Sequence, residues 1–269
     1  MKDRNDKARV TGRVFIVLLV CLNSVGCAMK RISLPEAETA VFSWSAESSN
    51  DAAFLADLGV EAVFQEVERG QEAQVLETLA GLDVYLLAGS PDMGLAEMVT
   101  EVKRAADGFK GVVFDIEPYG QEGWAIEDGR AQIMDDYCDA VEACYGHARE
   151  LGVRMLLCVP FWYDELGFAD QLERLCANCD GVCVMNYCRG HEAGNIAGEA
   201  ELAARYQRSL WTIYELSPAD GDGVRESNTY FDQGLAAVVE NYRMNFSGTD
   251  IGLAYHDIDH LRVLAKREN

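Results

Sequence analysis

The sequence alternates between short apolar runs and longer amphipathic runs, and this alternation limits the fold more than any other feature. After residue 38 there are eight such rounds, each a β-branched or aromatic run followed by apolar residues at helical spacing. Strict alternation of strand and helix predicts a parallel sheet. Eight rounds in about 230 residues predict an α/β fold, a single (β/α)8 TIM barrel. The predicted strands are 39–44, 60–65, 83–89, 111–114, 154–160, 181–187, 210–215 and 252–256, and the two longest predicted helices are 130–151 and 229–245.

Length and charge narrow the class of protein further. The chain has 269 residues, of which 49% are hydrophobic, and this is enough for one large core. A doubly wound open sheet is disfavoured because no glycine-rich phosphate turn follows an early strand. The formal net charge of -22 opposes contact with nucleic acid and with anionic membrane surfaces. We therefore expect one barrel over residues 38–269, acting as a monomer without a nucleic-acid partner.

The first 27 residues differ in composition from the rest of the chain. A basic segment precedes the apolar run 14–20, which is short for a membrane span. The following Ser24-Val25-Gly26-Cys27 resembles a bacterial lipobox, with Ser24 where that motif usually has leucine. We predict an export segment over 1–27, lipidation at Cys27 and a short linker over 28–37. Simple cleavage and an uncleaved anchor remain open. We predict that the protein is anchored at the bacterial cell surface, or that it is secreted if it is not anchored. Contact with the membrane would involve this segment alone.

Four cysteines lie close together in the sequence, with a spacing similar to that of zinc ligands: Cys176, Cys179, Cys183 and Cys188. Cys183, however, lies inside a predicted strand, and the five extended residues to Cys188 span roughly 16 Å. The four thiols therefore cannot converge on one ion, and we predict no metal and no cofactor. A disulfide between Cys176 and Cys179 stays open, because seven cysteines beyond the export segment do not make a paired framework.

The predicted strand ends are rich in aromatic rings and carboxylates and poor in lysine and arginine. In a TIM barrel the active site lies at the carboxyl ends of the strands. Rings stack on the C–H faces of sugars, and carboxylates and amides bind sugar hydroxyls, whereas a phosphate needs basic groups. The composition therefore favours a glycan ligand. The predicted substrate-binding residues are Trp44, Tyr119, Trp162, Met185, Asn186, Arg189, Glu215, Tyr255 and His256.

The fourth predicted strand, 111–114, runs directly into two carboxylates, Asp115 and Glu117. Residues two apart on a strand point to the same face of the sheet. Two acids on one face at the end of an apolar strand are costly to bury unless they are paired or used. Asp115 and Glu117 are therefore the first candidates for chemistry.

The same stretch matches part of a known signature. Phe109, Gly111, Asp115 and Glu117 fit D-G-x-D-x-D-x-E and the aromatic residue that usually precedes it. On this motif the chain resembles the family 18 glycoside hydrolases, the chitinase-like barrels. The first two aspartates of the signature are replaced by Lys110 and Val113.

A second motif lies on the sixth predicted strand. Met185 and Tyr187 fit the M-x-Y-D motif of the same family, with Cys188 in place of the aspartate. The two motifs together are more specific than Asp-x-Glu alone, and the resemblance covers residues 38 to 262. It implies a glycoside hydrolase of β-linked glycans, with N-acetylated sugars as one option.

The resemblance also implies roles for three residues. Glu117 would be the general acid that protonates the glycosidic oxygen, and Asp115 would orient a 2-acetamido group whose carbonyl attacks the anomeric carbon. Tyr187 would donate a hydrogen bond to that group. Val113 removes the upstream aspartate that modulates Asp115 in the family, so the substrate-assisted scheme has competitors.

Three alternatives stay open. A retaining glycosidase could use Glu117 with Glu215, which ends the seventh predicted strand, if the two carboxyls lie about 5–5.5 Å apart. A non-catalytic carbohydrate-binding barrel could keep the cleft without turnover. A metal-dependent hydrolase could use Asp115, Glu117 and His256. A serine triad is disfavoured, because the sequence contains no Gly-x-Ser-x-Gly turn.

Overall fold

The structure, a computed structural model, describes residues 38–45, 49–219 and 223–268. The predicted export segment, the lipidation at Cys27 and the linker over 28–37 lie outside the described residues. In the part of the chain that is described, no helix is both long and apolar enough to cross a membrane.

Eight parallel strands close into a barrel in sequence order, with β1 pairing to both β2 and β8. This confirms the predicted TIM barrel. The strands are β1 Thr39–Ser43, β2 Ala62–Glu66, β3 Asp83–Ala88, β4 Gly111–Phe114, β5 Arg154–Pro160, β6 Gly181–Met185, β7 Ser209–Glu215 and β8 Ile251–His256.

Helices follow the strands on the outside of the barrel. They are α1 Ser49–Leu58, α2 Glu72–Thr78, α3 Leu95–Ala105, α4 Glu127–Leu151, α5 Ala169–Ala177, α6 Glu192–Asn195, α7 Ala197–Tyr206, α8 Leu235–Phe246 and α9 Ile258–Arg267. The largest departure from the sequence prediction is α8, which was expected to begin at residue 229. Residues 229–234 instead form a loop against β7, where the Tyr230 amide donates to the Glu215 carbonyl at 2.9 Å.

Residues alternate along each strand between the barrel interior and the layer under the helices, as the period of two requires. Side chains such as Phe64, Leu87 and Leu156 fill the interior. Their neighbours, such as Phe114 and Tyr214, pack in the outer core with the helices. This alternation decides which strand-end residues reach the site.

Arg154 fills the barrel at the amino ends of the strands. Its guanidinium donates to the Tyr85 hydroxyl and to Ser209 Oγ, both at 2.7 Å, and lies 5.4 Å from the centre of the Trp211 ring. Gly252 leaves room for that ring, because a Cβ there would lie 2.3 Å from it. The interior of the barrel is therefore packed at this end.

The described cysteines are all free, and six of the seven are buried. The Cys179 thiol donates to the Cys176 carbonyl at 3.7 Å instead of forming the disulfide that the sequence left open. Burial raises the pKa of the Cys176 thiol to about 12. These two cysteines therefore belong to the packed core.

Candidate active site

A cavity of about 360 Å³ opens among the carboxyl ends of the strands, where TIM barrels carry their active sites. One side comes from the turns after β4 and β5, and the other from the ends of β6 and β7 with the loop after β7. The lining residues are Glu117, Tyr119, Pro160, Phe161, Trp162, Met185, Tyr187, Glu215, Gly223, Val224, Arg225 and Asn228.

The end of β4 positions both predicted carboxylates. The Asp115 amide donates to the Ala88 carbonyl at 2.9 Å, which holds the chain in strand geometry one residue beyond β4. The close approach of β3 requires a glycine at 89, since a Cβ there would lie 1.9 Å from the Asp115 carbonyl oxygen. The turn Pro118–Gly120 then ends the extended run, so that Glu117 faces the cavity.

Asp115 lies partly buried beside Glu117. Burial raises the pKa of Asp115 to about 6, and the negative charge of Glu117 adds to this effect. The positive charge of His256 and a hydrogen bond from the Cys158 thiol act in the opposite direction. Asp115 can therefore change its protonation state close to neutral pH.

Two tyrosines surround the Glu117 carboxylate. Burial raises the pKa of Tyr119, and a hydrogen bond to Glu117 raises it further, so the phenol stays protonated and donates. The Tyr163 hydroxyl is also buried, and it has no hydrogen-bond partner among the described residues. Glu117 thus has a neutral phenol as a hydrogen-bond donor.

Aromatic rings pack against one another beside the turns after β4 and β5. The Tyr119 and Trp162 rings lie 5.2 Å apart between centres, and Trp124 lies 6.4 Å from Trp162. Trp44 stands at the rim near β8, 42% exposed, with its ring 4.9 Å from that of His256. Faces of this kind bind the apolar sides of sugar rings.

Glu215 and His256 form an ion pair between the ends of β7 and β8. Glu215 Oε2 lies 3.0 Å from His256 Nδ1, and Glu215 Oε1 accepts from the Ser217 amide at 2.7 Å. Burial alone would raise the pKa of Glu215, but His256 and Ser217 outweigh it and hold that pKa below its ordinary value. Burial would likewise lower the pKa of His256, but Glu215 and other acids raise it.

Tyr187 lies between these groups. Its ring centre is 5.9 Å from that of His256, and burial and the nearby charges of Glu215 and Asp115 raise its pKa. Its carbonyl accepts a short hydrogen bond from the Asn228 side chain, which ties the loop after β7 to the end of β6. Tyr187 is therefore a neutral donor within reach of the same cavity.

The structure brings together most of the predicted site residues. Those that line the cavity are Glu117, Tyr119, Trp162, Met185, Tyr187 and Glu215. Asp115, His256 and Trp44 adjoin them. The predicted residues that meet here are thus those at inward-facing positions on the strand ends.

Three predicted substrate contacts do not line this cavity. Tyr255 is 1% exposed in the outer core, because the strand alternation gives the inward face to His256. Asn186 is buried, and its amide donates to Thr212 Oγ1 and to the Glu192 carbonyl, both at 3.0 Å. Arg189 lies with its guanidinium 5.7 Å from the Tyr230 ring centre.

The sequence prediction missed the residues that the loop after β7 contributes, which are Gly223, Val224, Arg225 and Asn228. They follow the strand by several residues in an irregular segment, where periodicity gives no signal. The only hint was the long separation between the seventh strand and the next helix. Cys158, which touches Asp115 from the neighbouring strand, was also missed.

The metal-dependent alternative finds no matching geometry. Within 38–45, 49–219 and 223–268, no group of three or more His, Cys, Asp or Glu side chains is arranged to hold an ion. His256 directs Nδ1 at Glu215 instead of joining Asp115 and Glu117 around a shared centre.

A closed eight-stranded barrel with this acidic and aromatic mouth has the fold of a divergent family 18-like, chitinase-like TIM barrel. No family model and no curated protein matches the sequence. Among solved structures, a GH18 chitinase from Pseudoalteromonas aurantia is 12% identical with a TM-score of 0.58, over 86% of this chain and 99% of that one.

Two further solved structures show the same likeness. Aspergillus fumigatus Ega3, in complex with galactosamine, is 11% identical with a TM-score of 0.53, over 84% of this chain and 93% of that one. A chitinase from Chromobacterium violaceum is 12% identical with a TM-score of 0.52, over 86% and 98%. At these identities the comparison establishes the shared fold.

Proposed function

We propose that the protein is a glycoside hydrolase of amino-sugar glycans, with Glu117 as the general acid. The observation that carries the proposal is the position of Glu117 in an aromatic-lined cavity, with Asp115 and Tyr187 gathered nearby. The similar structures support the substrate class, because two of them are chitinases and the third is a complex with galactosamine. A β-linked, N-acetylated glycan is the first substrate to test.

The substrate-assisted route is the mechanism that this arrangement supports best. Glu117 would protonate the glycosidic oxygen while the acetamido carbonyl attacks the anomeric carbon. Asp115 would orient the acetamido nitrogen and stabilise the positive charge that develops on it. Tyr187, kept neutral by its raised pKa, would donate a hydrogen bond to the acetamido oxygen.

The two-carboxylate route has weaker support. Both Glu215 oxygens are already engaged, one by the Ser217 amide at 2.7 Å and the other by His256 at 3.0 Å. A nucleophile needs a free oxygen directed at the anomeric carbon. We therefore assign Glu215 the role of favouring the charged form of His256, beside Asp115.

The substitution Glu117→Gln tests the proposal. Chitin oligosaccharides and oligomers of galactosamine are incubated with each variant, and released ends are counted while binding is followed by calorimetry. We expect Glu117→Gln to lose at least about a hundredfold in kcat and to keep its affinity, because it removes only the proton donor. Glu122→Gln, on an exposed turn nearby, is the matched control.

The outcomes separate enzyme from binding protein. Wild-type protein that binds either oligosaccharide without cleaving it supports the non-catalytic barrel, to which Val113 in the signature already points. Equal turnover by Glu117→Gln and wild type contradicts the assignment of the general acid.

A further inference from the structure

The barrel interior just below Asp115 contains a thiol. In the register of β4 and β5, Phe114 is paired with Leu157, so the next step along both strands sets Asp115 beside Cys158. Cys158 faces the interior and is 1% exposed. A neutral, buried thiol therefore stands against the side of Asp115 that faces away from solvent.

The residue before Asp115 on the same face of β4 offers no polar group. Val113 is fully buried in the interior cluster with Cys158 and Leu156. A carboxylate without a hydrogen-bond partner on its buried side would be costly and free to rotate. Cys158 stands beside Asp115 in the strand register and holds the pKa of its carboxyl down, so its thiol is placed to be that partner.

We propose that Cys158 is a positioning residue for the reaction, which fixes the Asp115 carboxylate by donating its thiol proton where Val113 provides no donor. This inference rests on the proposed function, in which Asp115 orients the substrate. Cys158 itself does not touch the substrate.

Other groups also face Asp115, and the test must allow for them. Glu117 repels its charge and His256 attracts it. The tyrosine hydroxyls whose surroundings include Asp115 are those of Tyr119, Tyr137, Tyr163 and Tyr187. A change at Cys158 leaves all of these in place, so a shift in the titration of Asp115 reports the lost thiol contact.

The neighbouring thiol gives a matched control. Cys183 pairs in register with Cys158, faces the same interior and is fully buried. Its thiol hydrogen-bonds with that of Cys158, and Cys183 is not among the groups that shift the pKa of Asp115. Substitution at 183 therefore disturbs the packing to a similar extent without removing the donor to Asp115.

The experiment titrates the Asp115 carboxyl by ¹³C NMR, assigned with Asp115→Asn, in full-length protein. Cys158→Ala and Cys158→Val remove the donor, Cys158→Ser keeps one, and Cys183→Ala is the control. We expect both donor-less variants to raise the pKa of Asp115 by about one, because a hydrogen bond to the charged form is lost. The acidic limb of kcat/KM should move to higher pH by the same amount.

Cys158→Ala and Cys158→Val have side chains of different volume, so that at least one of them should fold. Circular dichroism checks the folding, and one folded variant is enough for the titration. Cys158→Ser and Cys183→Ala should titrate like the wild type. An unchanged Asp115 titration in a folded donor-less variant overturns the inference, as does an equal shift in Cys183→Ala. The titration needs no turnover, so it distinguishes a failed positioning role from a protein that is not a glycosidase.

Discussion

The substitution Glu199→Gln should make the stability of the barrel less dependent on pH. Glu199 lies in the first turn of α7, fully buried, and neither carboxylate oxygen has a hydrogen-bond partner among the described residues. Burial raises the pKa of this carboxyl from 4.5 to about 8. At neutral pH the folded protein therefore holds a proton on Glu199 that the unfolded chain releases.

The sign and size of the contribution of Glu199 to the free energy of unfolding follow from proton linkage. Between pH 4.5 and 8 the folded state binds more protons at this group, so the free energy of unfolding falls as pH rises. From pH 4.5 to pH 7 the fall is about 3 kcal/mol, at about 1.36 kcal/mol for each pH unit. Below pH 4.5 the contribution is fully present, and above pH 8 it is lost.

The assay is urea unfolding at pH 4.5, 5.5, 6.5, 7.5 and 8.5, followed by circular dichroism. Glutamine is neutral at every pH, so the difference in unfolding free energy between variant and wild type should move in favour of the variant by about 4 kcal/mol between pH 4.5 and pH 8.5. The buried amide also lacks partners, and the variant need not be more stable at acid pH. The test is therefore the slope of the difference in unfolding free energy against pH, not its value at one pH.

Glu201→Gln is the control, because Glu201 lies on the same helix and pairs with Arg205 at 2.9 Å on the exposed face. It should follow the wild-type slope within about 0.5 kcal/mol. Parallel curves for wild type and Glu199→Gln would refute the reasoning, because they would mean that Glu199 is solvated or charged in the folded state.

Three further predictions follow from the structure and the sequence. Glu215→Gln should lower the pKa of His256, because it removes the adjacent negative charge. Imidazole NMR measures this pKa, and Glu226→Gln should leave it unchanged. Gly89→Ala should destabilise the protein by about 3 kcal/mol, because the added Cβ clashes with the Asp115 backbone. Gly94→Ala is the control, because a Cβ at that position meets open space. Equal melting temperatures for the two variants would contradict this prediction. Cys27→Ser should move the protein from the membrane fraction to the soluble fraction of expressing bacteria, and an identical distribution would count against lipidation.

The strand-end residues show how far periodicity alone can go. Asp115 and Glu117 were found because both follow a buried strand and share one face. Tyr255, a predicted substrate contact, lies in the outer core, since the same alternation puts it on the opposite face from His256. The same alternation separates Asn186 from Met185 and Tyr187, so strand-end residues have to be sorted by face before they are assigned to a site.

Other features depended on information that the sequence does not carry. The contact between Cys158 and Asp115 depends on the register between two strands, and a shift of one residue would reverse which side chains face the interior. The position of Arg225 at the cavity depends on the path of an irregular loop. The pairing of Glu215 with His256 needed the closure of β7 against β8, which fixes Glu215 opposite His256.

The packing of Arg154, Tyr85 and Trp211 at the amino ends of the strands leaves Asp115 a route to solvent on the mouth side. Among the described residues, protons that reach Asp115 through the mouth use the same opening as sugars that leave the cavity. A ligand that fills this opening should slow proton exchange at Asp115 while it is bound. The protonation state present when substrate enters would then persist through the chemical step, and the pH of the medium would act on the empty site rather than on the complex.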